Sequence, residues 1–419
     1  MALHASFKAP ALNAFFKRSA GFDLILHKNP DAIRKHEDKQ KMIRQKLIWF
    51  LIAVLALASS CAKKAENISE TFAQREKQIQ TAFVPDKSLN VFAAELIHLN
   101  NQWILKGETT VPAAREALLA VADSLLGANG YQNKLMLLPD SSLGDSAYAL
   151  VSVSVAHLRD APRHSAQMVD QTIMGRPLRL LKKLNGWYLT QTEYKYVGWV
   201  NASSLHRTDL NGVQAWRKAP KVRVIDLYPM VRSMPDASAE PVTDVVLNVE
   251  LRKEGKTGRW IKVSTPDGRT GYIEAKYVTT NPPGENSPNR ERASIIRTAR
   301  SMMGVPYLWG GNSSKGNDCS GFTQTVFNAN GMQLPRDARQ QALKGEEIIP
   351  DDDFANIQPG DLLFFGNGKR VTHVGISLGG AEFIHQSGDV HVNSLDPQAP
   401  NYSKYRREHL MKITRVITN

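Results

Sequence analysis

A repeated pattern in the middle of the chain most constrains its fold. The segments NGWYLTQTEYKYVGWVNASSL (185–205) and GRWIKVSTPDGRTGYIEAKYV (258–278) share one order: an aromatic residue, an alternating strand, a turn, a glycine-aromatic pair and a short strand. More alternating segments precede each copy, and Val151–Leu158 and Val222–Val231 open the two units. Short, evenly spaced strands with turns between them are typical of small barrels. The repeat therefore predicts two small all-β barrels in tandem.

The two predicted barrels, at 149–210 and 211–280, resemble bacterial Src-homology-three-like barrels. The Gly-Trp-hydrophobic strand of that family matches Gly198-Trp199-Val200 in the first copy and, more loosely, Gly271-Tyr272-Ile273 in the second. The resemblance implies that each copy closes into its own barrel.

An export signal is predicted near the N-terminus. Residues 42–61 (MIRQKLIWFLIAVLALASSC) begin with basic residues, continue with an apolar run from Leu47 to Ala58 and end in small residues. This is the three-part form of a secretory signal, with a short membrane anchor as the alternative. Because a signal peptide normally starts a chain, we expect Met42 to be the natural start and 1–41 to be a non-native extension. A disordered cytoplasmic tail is the alternative for 1–41.

The end of the signal, Leu57-Ala58-Ser59-Ser60-Cys61, resembles the lipobox of bacterial lipoproteins. In that motif the cysteine is lipidated and becomes the first mature residue, so Cys61 is a lipidation candidate. Ala58 stands where the lipobox usually has leucine, and Ala56-Leu57-Ala58 also fits ordinary signal cleavage. We therefore predict a protein of the bacterial cell envelope, either periplasmic or attached to the membrane as a lipoprotein.

The charge of the chain bears on its partners. The formal net charge is +13, and residues 1–60 hold ten Lys/Arg and four Asp/Glu, so subtraction leaves +7 for residues 61–419. A moderately basic surface suits an anionic cell envelope. Clusters of interleaved basic and aromatic residues are missing from the sequence, so we expect no nucleic-acid partner.

The region before the barrels is predicted to be helical. Polar residues 62–87 predict a tether, and two apolar-periodic segments follow it, VFAAELIHLNNQWIL and VPAAREALLAVADSLLG. The second has Pro112 in its first turn and Gly127 at its end, which are typical helix boundaries. We therefore predict a helical segment over 88–148.

A proline- and glycine-rich linker, 281–289, introduces the last domain, 290–419, where GNDCSGF surrounds Cys319. Apolar residues at helical spacing follow, which predicts that Cys319 begins a helix. Unpaired N–H groups and the helix dipole stabilise a thiolate there, and the same N–H groups can hold an oxyanion. A buried structural cysteine is the alternative, but the flanking Asp318 and Ser320 favour a wet, exposed site.

A cysteine nucleophile needs a base and a group that orients the base. His373 and His385 lie on two predicted strands, 372–378 and 381–387, joined through Gly379-Gly380. A zinc site is the other chemical possibility, although a Cys/His/His set lacks a fourth protein ligand and a close-spaced pair. For catalysis we expect both imidazoles on one face of the hairpin, with His373 directly opposite His385 across a three-residue loop.

Six motifs of the last domain occur in a fixed order. They are Tyr307-x-Trp309-Gly310-Gly311, Asp318-Cys319-Ser320-Gly321-Phe322, Arg336-Asp337, Pro359-Gly360-Asp361-Leu362, His373-Val374-Gly375-Ile376 and His385. This order and spacing resemble the NlpC family of bacterial cell-wall cysteine peptidases. With the two barrels, the chain resembles the diamino-acid endopeptidases that trim muropeptides. The resemblance implies a papain-like α+β catalytic domain and hydrolysis of the bond between γ-D-glutamate and a diamino acid such as meso-diaminopimelate.

The same resemblance implies roles for single residues. Cys319 is the nucleophile, His373 the base and His385 the group that orients it, with no metal and no cofactor. The expected oxyanion and substrate contacts are Tyr307, Trp309, Asp318, Ser320, Asp337, Tyr196 and Gln167.

Two of these positions concern the N-terminal end of the substrate. Asp337 and Tyr196 match family positions that bind the free amine of the L-alanine preceding D-glutamate. Gln167 stands where related enzymes often carry a glutamate, and Ala338 where others carry a serine. The chain therefore departs from the family pattern at positions that concern substrate selectivity. The alternatives are that Asp337 pairs with Arg336 or caps a helix, and that Tyr196 belongs to the barrel core.

We therefore predict an exported peptidoglycan hydrolase that acts on stem peptides. One alternative is another acyl-transfer enzyme on the same fold, such as an amidase or a transferase. The other is a non-catalytic protein that binds the cell wall, against which the intact set of Cys319, His373 and His385 argues. A catalytic cleft walled by the first barrel would favour the peptidase, because it would admit only a short peptide end.

Overall fold

The computed structural model describes residues 30–282 and 292–417, without the side chains of 30, 32, 33 and 54–64. Most of the predicted linker 281–289 therefore lies outside the described residues. The fold has four parts in chain order: an N-terminal α/β part, two barrels and a C-terminal α+β domain.

The N-terminal part begins with helix α1, Pro30–Phe83, whose 54 residues span about 80 Å at 1.5 Å per residue. The predicted tether is wrong, because Ile68, Phe72 and Ile79 recur at helical spacing among polar residues and pack into the local core. The predicted signal also lies within α1, and the role of Cys61 stays a prediction because its side chain is outside the described part. Within the described residues, no helix has a stretch long and apolar enough to cross a membrane.

The helical segment predicted over 88–148 is only partly helical. Its elements are strand β1 (Phe92–Leu99), strand β2 (Gln102–Thr109), helix α2 (Pro112–Leu126) and strand β3 (Tyr131–Leu137). β1 and β2 form an antiparallel hairpin, and β3 runs parallel to β2. The prediction failed because Phe92 and Leu96, four residues apart, share a face in a helix and in a strand alike. The turn favours a hairpin over a helix, because Asn100 and Asn101 have φ values of 50° and 60° and a two-residue hairpin turn of type I′ requires positive φ at both positions.

The first barrel is one seven-stranded sheet. Its strands are β4 (Tyr148–Val151), β5 (Val155–Arg159), β6 (Met168–Ile173), β7 (Pro177–Leu184), β8 (Trp187–Gln191), β9 (Val197–Asn201) and β10 (Leu205–Thr208), with short 3-10 helices at Ser141–Leu143 and Ala202–Ser204. They are arranged in the order β10-β4-β7-β8-β9-β5-β6. The Gly-Trp motif lies in β9, where a Cβ on Gly198 would be 2.8 Å from the Leu158 side chain. Only glycine allows β5 and β9 to pack this closely.

Helix α3 (Leu210–Lys218) leads into the second barrel, which is also a seven-stranded sheet. Its strands are β11 (Lys221–Val224), β12 (Met230–Arg232), β13 (Pro241–Asp244), β14 (Glu250–Thr257), β15 (Trp260–Ser264), β16 (Thr270–Glu274) and β17 (Val278–Thr279), with a 3-10 helix at Ala275–Tyr277. The order is β13-β12-β16-β15-β14-β11-β17, around a core rich in valine and isoleucine.

The C-terminal domain packs helices on a six-stranded sheet. Its helices are α4 (Arg292–Ser301), α5 (Cys319–Ala329), α6 (Ala338–Gln341) and α7 (Lys404–Glu408). Strands β18 (Asn312–Ser313) and β19 (Gly316–Asn317) form a separate two-stranded pair. The strands of the six-stranded sheet are β20 (Glu346–Glu347), β21 (Leu362–Gly366), β22 (Val371–Gly379), β23 (Glu382–Ser387), β24 (Asp389–Ser394) and β25 (Leu410–Arg415). The sheet order is β20-β25-β21-β22-β23-β24, and Phe322 and Val326 of α5 share a core with Val374 and Ile384. The predicted α+β class, with two barrels before the catalytic domain, is confirmed.

Both barrels dock on the C-terminal domain near β18 and α5. In the first barrel, the Gln171 side chain accepts hydrogen bonds from Asn312 and Ser313, each at 2.9 Å. In the second barrel, the Asn248 side chain donates to the Thr325 carbonyl oxygen at 3.0 Å. These polar contacts fix the barrels beside the helix that begins at Cys319.

Candidate active site

Cys319 is the first residue of α5, as predicted. Asp318 is the N-cap, and its Oδ1 accepts a hydrogen bond from the Gly321 backbone N–H at 2.8 Å. The backbone N–H groups of Val374 and Ser320 lower the pKa of the thiol, so Cys319 lies against the strand that carries His373. A Cβ on Gly321 would be 2.0 Å from a carbonyl oxygen of the preceding loop, so the first turn of the helix requires glycine.

The surroundings of Cys319 differ from the wet, low-pKa site that the sequence predicts. The side chain is only 8% exposed. Burial raises the pKa of the Cys319 thiol to about 11, and the Asp318 carboxylate adds to this shift. The prediction of a thiolate is wrong because the loss of water outweighs the N–H groups of the helix end. At neutral pH Cys319 is a thiol, which must lose its proton during attack.

His373 and His385 share one face of the β22–β23 hairpin, which confirms that part of the prediction. Their Nε2 and Nδ1 atoms are 2.8 Å apart. The predicted direct opposition is wrong, because His385 pairs with Gly375 and His373 lies two residues further along β22. The pairing shifts by a bulge between Ser377 and Gly379 instead of using a three-residue loop.

Gly375 makes this diagonal contact possible. A Cβ at position 375 would be 3.1 Å from the Cβ of His385 and 3.0 Å from the ring of Phe383. Because the residue opposite His385 has no side chain, the imidazole can turn along the face towards His373.

A third residue fixes the protonation of the two histidines. The Nδ2 of Asn393 donates to the Asn401 carbonyl oxygen at 3.2 Å, which leaves Oδ1 of Asn393 facing Nε2 of His385 at 3.0 Å. His385 must therefore donate from Nε2 and accept at Nδ1, so His373 donates from Nε2. The free lone pair of a neutral His373 is then on Nδ1.

Both imidazoles are held neutral. Burial lowers the pKa of His373 well below its usual value, and the Arg406 guanidinium lowers it further. Burial, with Arg406 second, lowers the pKa of His385 to about 3. Because both ring nitrogens of His385 are used in hydrogen bonds within the protein, His385 has no lone pair for a metal, and the Cys/His/His zinc alternative does not fit.

Cys319 opens into a cleft of about 320 Å³ between the first barrel and the C-terminal domain. The structure brings every predicted substrate contact to its lining: Tyr307, Trp309, Asp318, Ser320, Asp337, Tyr196 and Gln167. Gln167 and Tyr196 come from the barrel, which therefore forms one wall. Burial raises the pKa of Tyr307 to about 12, so its hydroxyl keeps the proton that an oxyanion would accept as a hydrogen bond.

The comparisons with known proteins agree with this architecture. Residues 304–415 match the NlpC/P60 family, residues 158–205 match the bacterial dipeptidyl-peptidase Sh3 domain, and residues 230–279 match the bacterial SH3 domain. Dipeptidyl-peptidase 6 of Lysinibacillus sphaericus is 30% identical over 266 residues, which cover 61% of this chain and 94% of that protein. The chain belongs to the NlpC/P60 family.

Two further relatives support the assignment. Gamma-D-glutamyl-L-lysine dipeptidyl-peptidase of Bacillus subtilis (strain 168) is 32% identical over 209 residues, 47% of this chain and 68% of that protein. A crystal structure of an NlpC/P60 family protein from Bacillus cereus ATCC 10987 shares the fold, with a TM-score of 0.55 and 22% identity over 65% of this chain and 100% of that chain. The resemblance predicted from the motifs is confirmed, and the NlpC/P60 domain is that of a cysteine peptidase.

Within the NlpC/P60 domain, Arg336 does not pair with Asp337. Its buried guanidinium bonds to Asp318 at 3.0 and 2.6 Å and to Asp170 of the first barrel at 2.5 Å. Asp170 is fully buried and accepts from Gln171, Asn312 and the Tyr194 hydroxyl as well. Burial raises the pKa of Asp170, and the Arg336 guanidinium and the hydrogen-bond donors around the carboxyl oppose that shift.

Asp337 keeps its carboxylate at the cleft of the NlpC/P60 domain. Its Oδ1 accepts from the Tyr196 hydroxyl at 3.2 Å, and its Oδ2 accepts from Arg339 at 2.9 Å. Asp337 is also the N-cap residue of α6, as one alternative proposed, with its backbone N–H donating to the Gln340 side chain at 3.1 Å. Tyr196 is buried in the barrel wall, as the other alternative proposed, yet its hydroxyl reaches the cleft.

The segment between α1 and β1 also reaches this site. Asp86 accepts from both terminal nitrogens of Arg339, at 2.7 and 2.9 Å, and from Gln340 at 2.7 Å. Arg339 therefore bridges Asp86 and Asp337. The N-terminal part thus holds the helix that begins at the predicted amine site.

The sequence analysis missed Asn393, Asp170 and Asp86. A signal existed for two of them. Asn393 follows His391 in an alternating strand next to the strand of His385, and Asp170 is a lone acid in the otherwise uncharged strand MVDQTI. Asp86 lies in a polar segment and gives no such signal.

Proposed function

We propose that this protein is a peptidoglycan hydrolase, a cysteine endopeptidase that cleaves the bond between γ-D-glutamate and a diamino acid in cell-wall peptides. The observation that carries the proposal is the cleft, in which Cys319 and the predicted substrate contacts meet a wall made by the first barrel. The names of the relatives, which include two gamma-D-glutamyl-L-lysine dipeptidyl-peptidases, support the substrate class.

The first chemical step is attack by Cys319. Nδ1 of His373 takes the thiol proton as the sulfur bonds to the γ-carbonyl carbon, and the carbonyl oxygen becomes an oxyanion. The Tyr307 hydroxyl and the positive end of the α5 helix dipole stabilise that charge. Because the raised pKa of Cys319 keeps the thiol protonated until attack, proton transfer to the neutral His373 and attack occur together.

The second step releases the diamino acid. The C–N bond breaks, the leaving nitrogen takes the proton from His373, and a thioester remains on Cys319. Nδ1 of His373 then accepts a proton from water as the water oxygen attacks the thioester carbon. The C–S bond breaks and frees L-Ala-γ-D-Glu, and the sulfur of Cys319 takes the proton back from His373. His385 and Asn393 keep His373 in one tautomer throughout.

Asp337 selects substrates with a free N-terminal L-alanine. An ammonium that leaves water needs a carboxylate and further acceptors, and Asp337 with the Tyr196 hydroxyl offers both at the barrel wall. A stem still attached to N-acetylmuramic acid has an uncharged amide instead and carries a glycan towards the barrel. This wall favours the peptidase over an amidase or transferase on the same fold.

The expected place of action is the cell envelope, with stem peptides as partners and Cys61 as a possible site of lipid attachment. The wall peptides are found there, and the predicted signal at 42–61 would deliver the protein to them.

Product analysis of defined peptides tests the proposal. We expect the wild type to convert L-Ala-γ-D-Glu-diaminopimelate into L-Ala-γ-D-Glu and diaminopimelate, and Cys319→Ala to be inactive. Asp337→Asn should slow cleavage of the free tripeptide far more than it slows the low activity on the intact muropeptide. Equal rates on the free tripeptide and the intact muropeptide would refute selection of the free amine by Asp337, but they would not contradict the role of Cys319 as nucleophile. No cleavage of either substrate would refute the proposed function.

A further inference from the structure

Arg406, on α7, lies beside the catalytic histidines. Its guanidinium carbon is 5.5 Å from the centre of the Phe365 ring, and its Nη2 donates to Ser387 at 3.2 Å. Phe365 is the strand partner of His373, and their rings are 5.8 Å apart. The guanidinium therefore covers the sheet face that carries His373 and His385.

The charge of Arg406 has no counter-ion in residues 30–282 and 292–417. Other arginines of the domain have one, such as Arg415, which pairs with Asp361 at 2.7 Å. Arg406 contacts the Ser387 hydroxyl and the rings of Phe365 and Tyr405. The Arg406 charge still reaches the site, since it lowers the pKa of both histidines, and burial lowers the pKa of Arg406 itself. A partly buried cation without a counter-ion would gain from binding an anion.

We infer that Arg406 binds the free α-carboxylate of the diamino acid that leaves. This inference rests on the proposed function, in which His373 protonates the leaving nitrogen. The carboxyl carbon of that residue is only about 2.5 Å from the same nitrogen by covalent geometry. A carboxylate there must lie close to His373, and the Arg406 charge acts on both catalytic histidines.

The site makes the enzyme selective for the C-terminal end of its substrate. A stem that ends at the diamino acid offers the carboxylate. A longer stem has an amide at the same place and loses the contact. The enzyme would then bind both ends of a short peptide, the ammonium at Asp337 in the cleft lining and the carboxylate at Arg406 beside the histidines.

The experiment compares L-Ala-γ-D-Glu-L-Lys as the free acid, the same peptide as its C-terminal amide, and the free acid with the D-glutamate α-carboxylate converted to an amide. The third peptide tests the other carboxylate near the scissile bond. The enzymes are the wild type, Arg406→Gln, Arg406→Lys and the control Lys404→Gln. Lys404 is on the same helix and its side chain is 76% exposed, so the control removes one charge away from the site.

We expect the kcat/KM of the wild type to be about 10- to 100-fold higher on the free acid than on the C-terminal amide, the usual range for a hydrogen-bonded charge. In Arg406→Gln the kcat/KM values on the free acid and the C-terminal amide should become equal. Arg406→Lys should keep part of the preference for the free acid, and Lys404→Gln should keep all of it. The α-amide of D-glutamate should remain sensitive to Arg406→Gln. The ratio isolates binding, because a changed histidine pKa affects all three substrates alike.

Equal wild-type rates on the free acid and the C-terminal amide would overturn the inference, as would an undiminished ratio in Arg406→Gln. The inference would also be overturned if Arg406→Gln lowered the rate on every peptide except the one with the D-glutamate α-amide. Arg406 would then bind the D-glutamate carboxylate instead. If Arg406→Gln does not fold, the partial ratio of Arg406→Lys decides. If the wild type cleaves only L-Ala-γ-D-Glu-diaminopimelate, the same three forms of that peptide decide. Failure of the wild type to cleave both the L-Lys and the diaminopimelate peptides would refute the proposed function together with the inference.

Discussion

Asp170 of the first barrel accepts a hydrogen bond from Nε of Arg336 at 2.5 Å, and the same guanidinium holds Asp318 beside the nucleophile. One buried arginine thus joins the barrel to the N-cap of the catalytic helix. Since Asp318 also binds the Gly321 N–H, the orientation of the barrel and the start of α5 are coupled.

Asp170→Asn should destabilise the fold by about 3–5 kcal/mol, because it leaves Arg336 only partly compensated in the interior. Tyr194→Phe removes one hydrogen bond to the same carboxylate and should cost about 1 kcal/mol. Urea unfolding followed by tryptophan fluorescence measures both variants. A loss for Asp170→Asn no larger than that for Tyr194→Phe would contradict a structural role for the ion pair.

Asn393→Leu should lower kcat roughly 10- to 100-fold with little change in KM, because nothing would then select the His385 tautomer. Asn393→Asp keeps an acceptor at the same place and should retain most of the activity. Kinetics on the free tripeptide, with melting temperatures as a control for folding, tests this. Equal losses in the two variants would show that the acceptor is unimportant.

Gly375→Ala should impair activity more than stability. The new Cβ would lie 3.1 Å from that of His385, so the ring must move away from His373. Overpacking of this kind costs about 1–3 kcal/mol. Gly255→Ala, where a Cβ meets nothing within 4 Å, is the matched control. Unchanged kcat in Gly375→Ala would argue that the contact between the histidines is dispensable.

Alkylation of Cys319 should rise steeply with pH. With a pKa of about 11, the thiolate fraction grows about tenfold for each pH unit between 7 and 9. Peptide mapping after brief iodoacetamide treatment follows Cys319 separately from Cys61. A rate that levels off below pH 8 would instead indicate a thiolate in the free protein.

His385 should weaken the fold in acid. Its pKa is about 3 in the folded protein and about 6.5 when unfolded, so between these values the unfolded chain binds more protons. The contribution of His385 to stability is therefore complete above about pH 6.5 and falls by about 1.4 kcal/mol per unit as the pH drops towards 3. His385→Gln should show a shallower fall over the same range. Identical slopes in the two proteins would refute the assigned pKa.

Local patterns predicted much of this molecule, and contacts distant in sequence account for the rest. The barrel repeat and the helix start at Cys319 depend on short-range spacing, so the sequence revealed them. The hairpin at 92–109 was mistaken for a helix because residues four apart share a face in both structures. The pKa of Cys319 depends on burial by β22, which no local pattern contains. Asp170 meets Arg336 only when two domains dock.

Strand β25 pairs on both sides, with the edge strand β20 and with β21 of the catalytic sheet. Its Arg415 also binds Asp361 beside the turn that precedes β21. A growing chain therefore completes the first barrel, and even the segment with Cys319, well before residues 410–415 are made. The hydrolase acquires its finished sheet only after residues 410–415 are made, so a chain without them carries the nucleophile but lacks a strand of the sheet on which the catalytic helix packs.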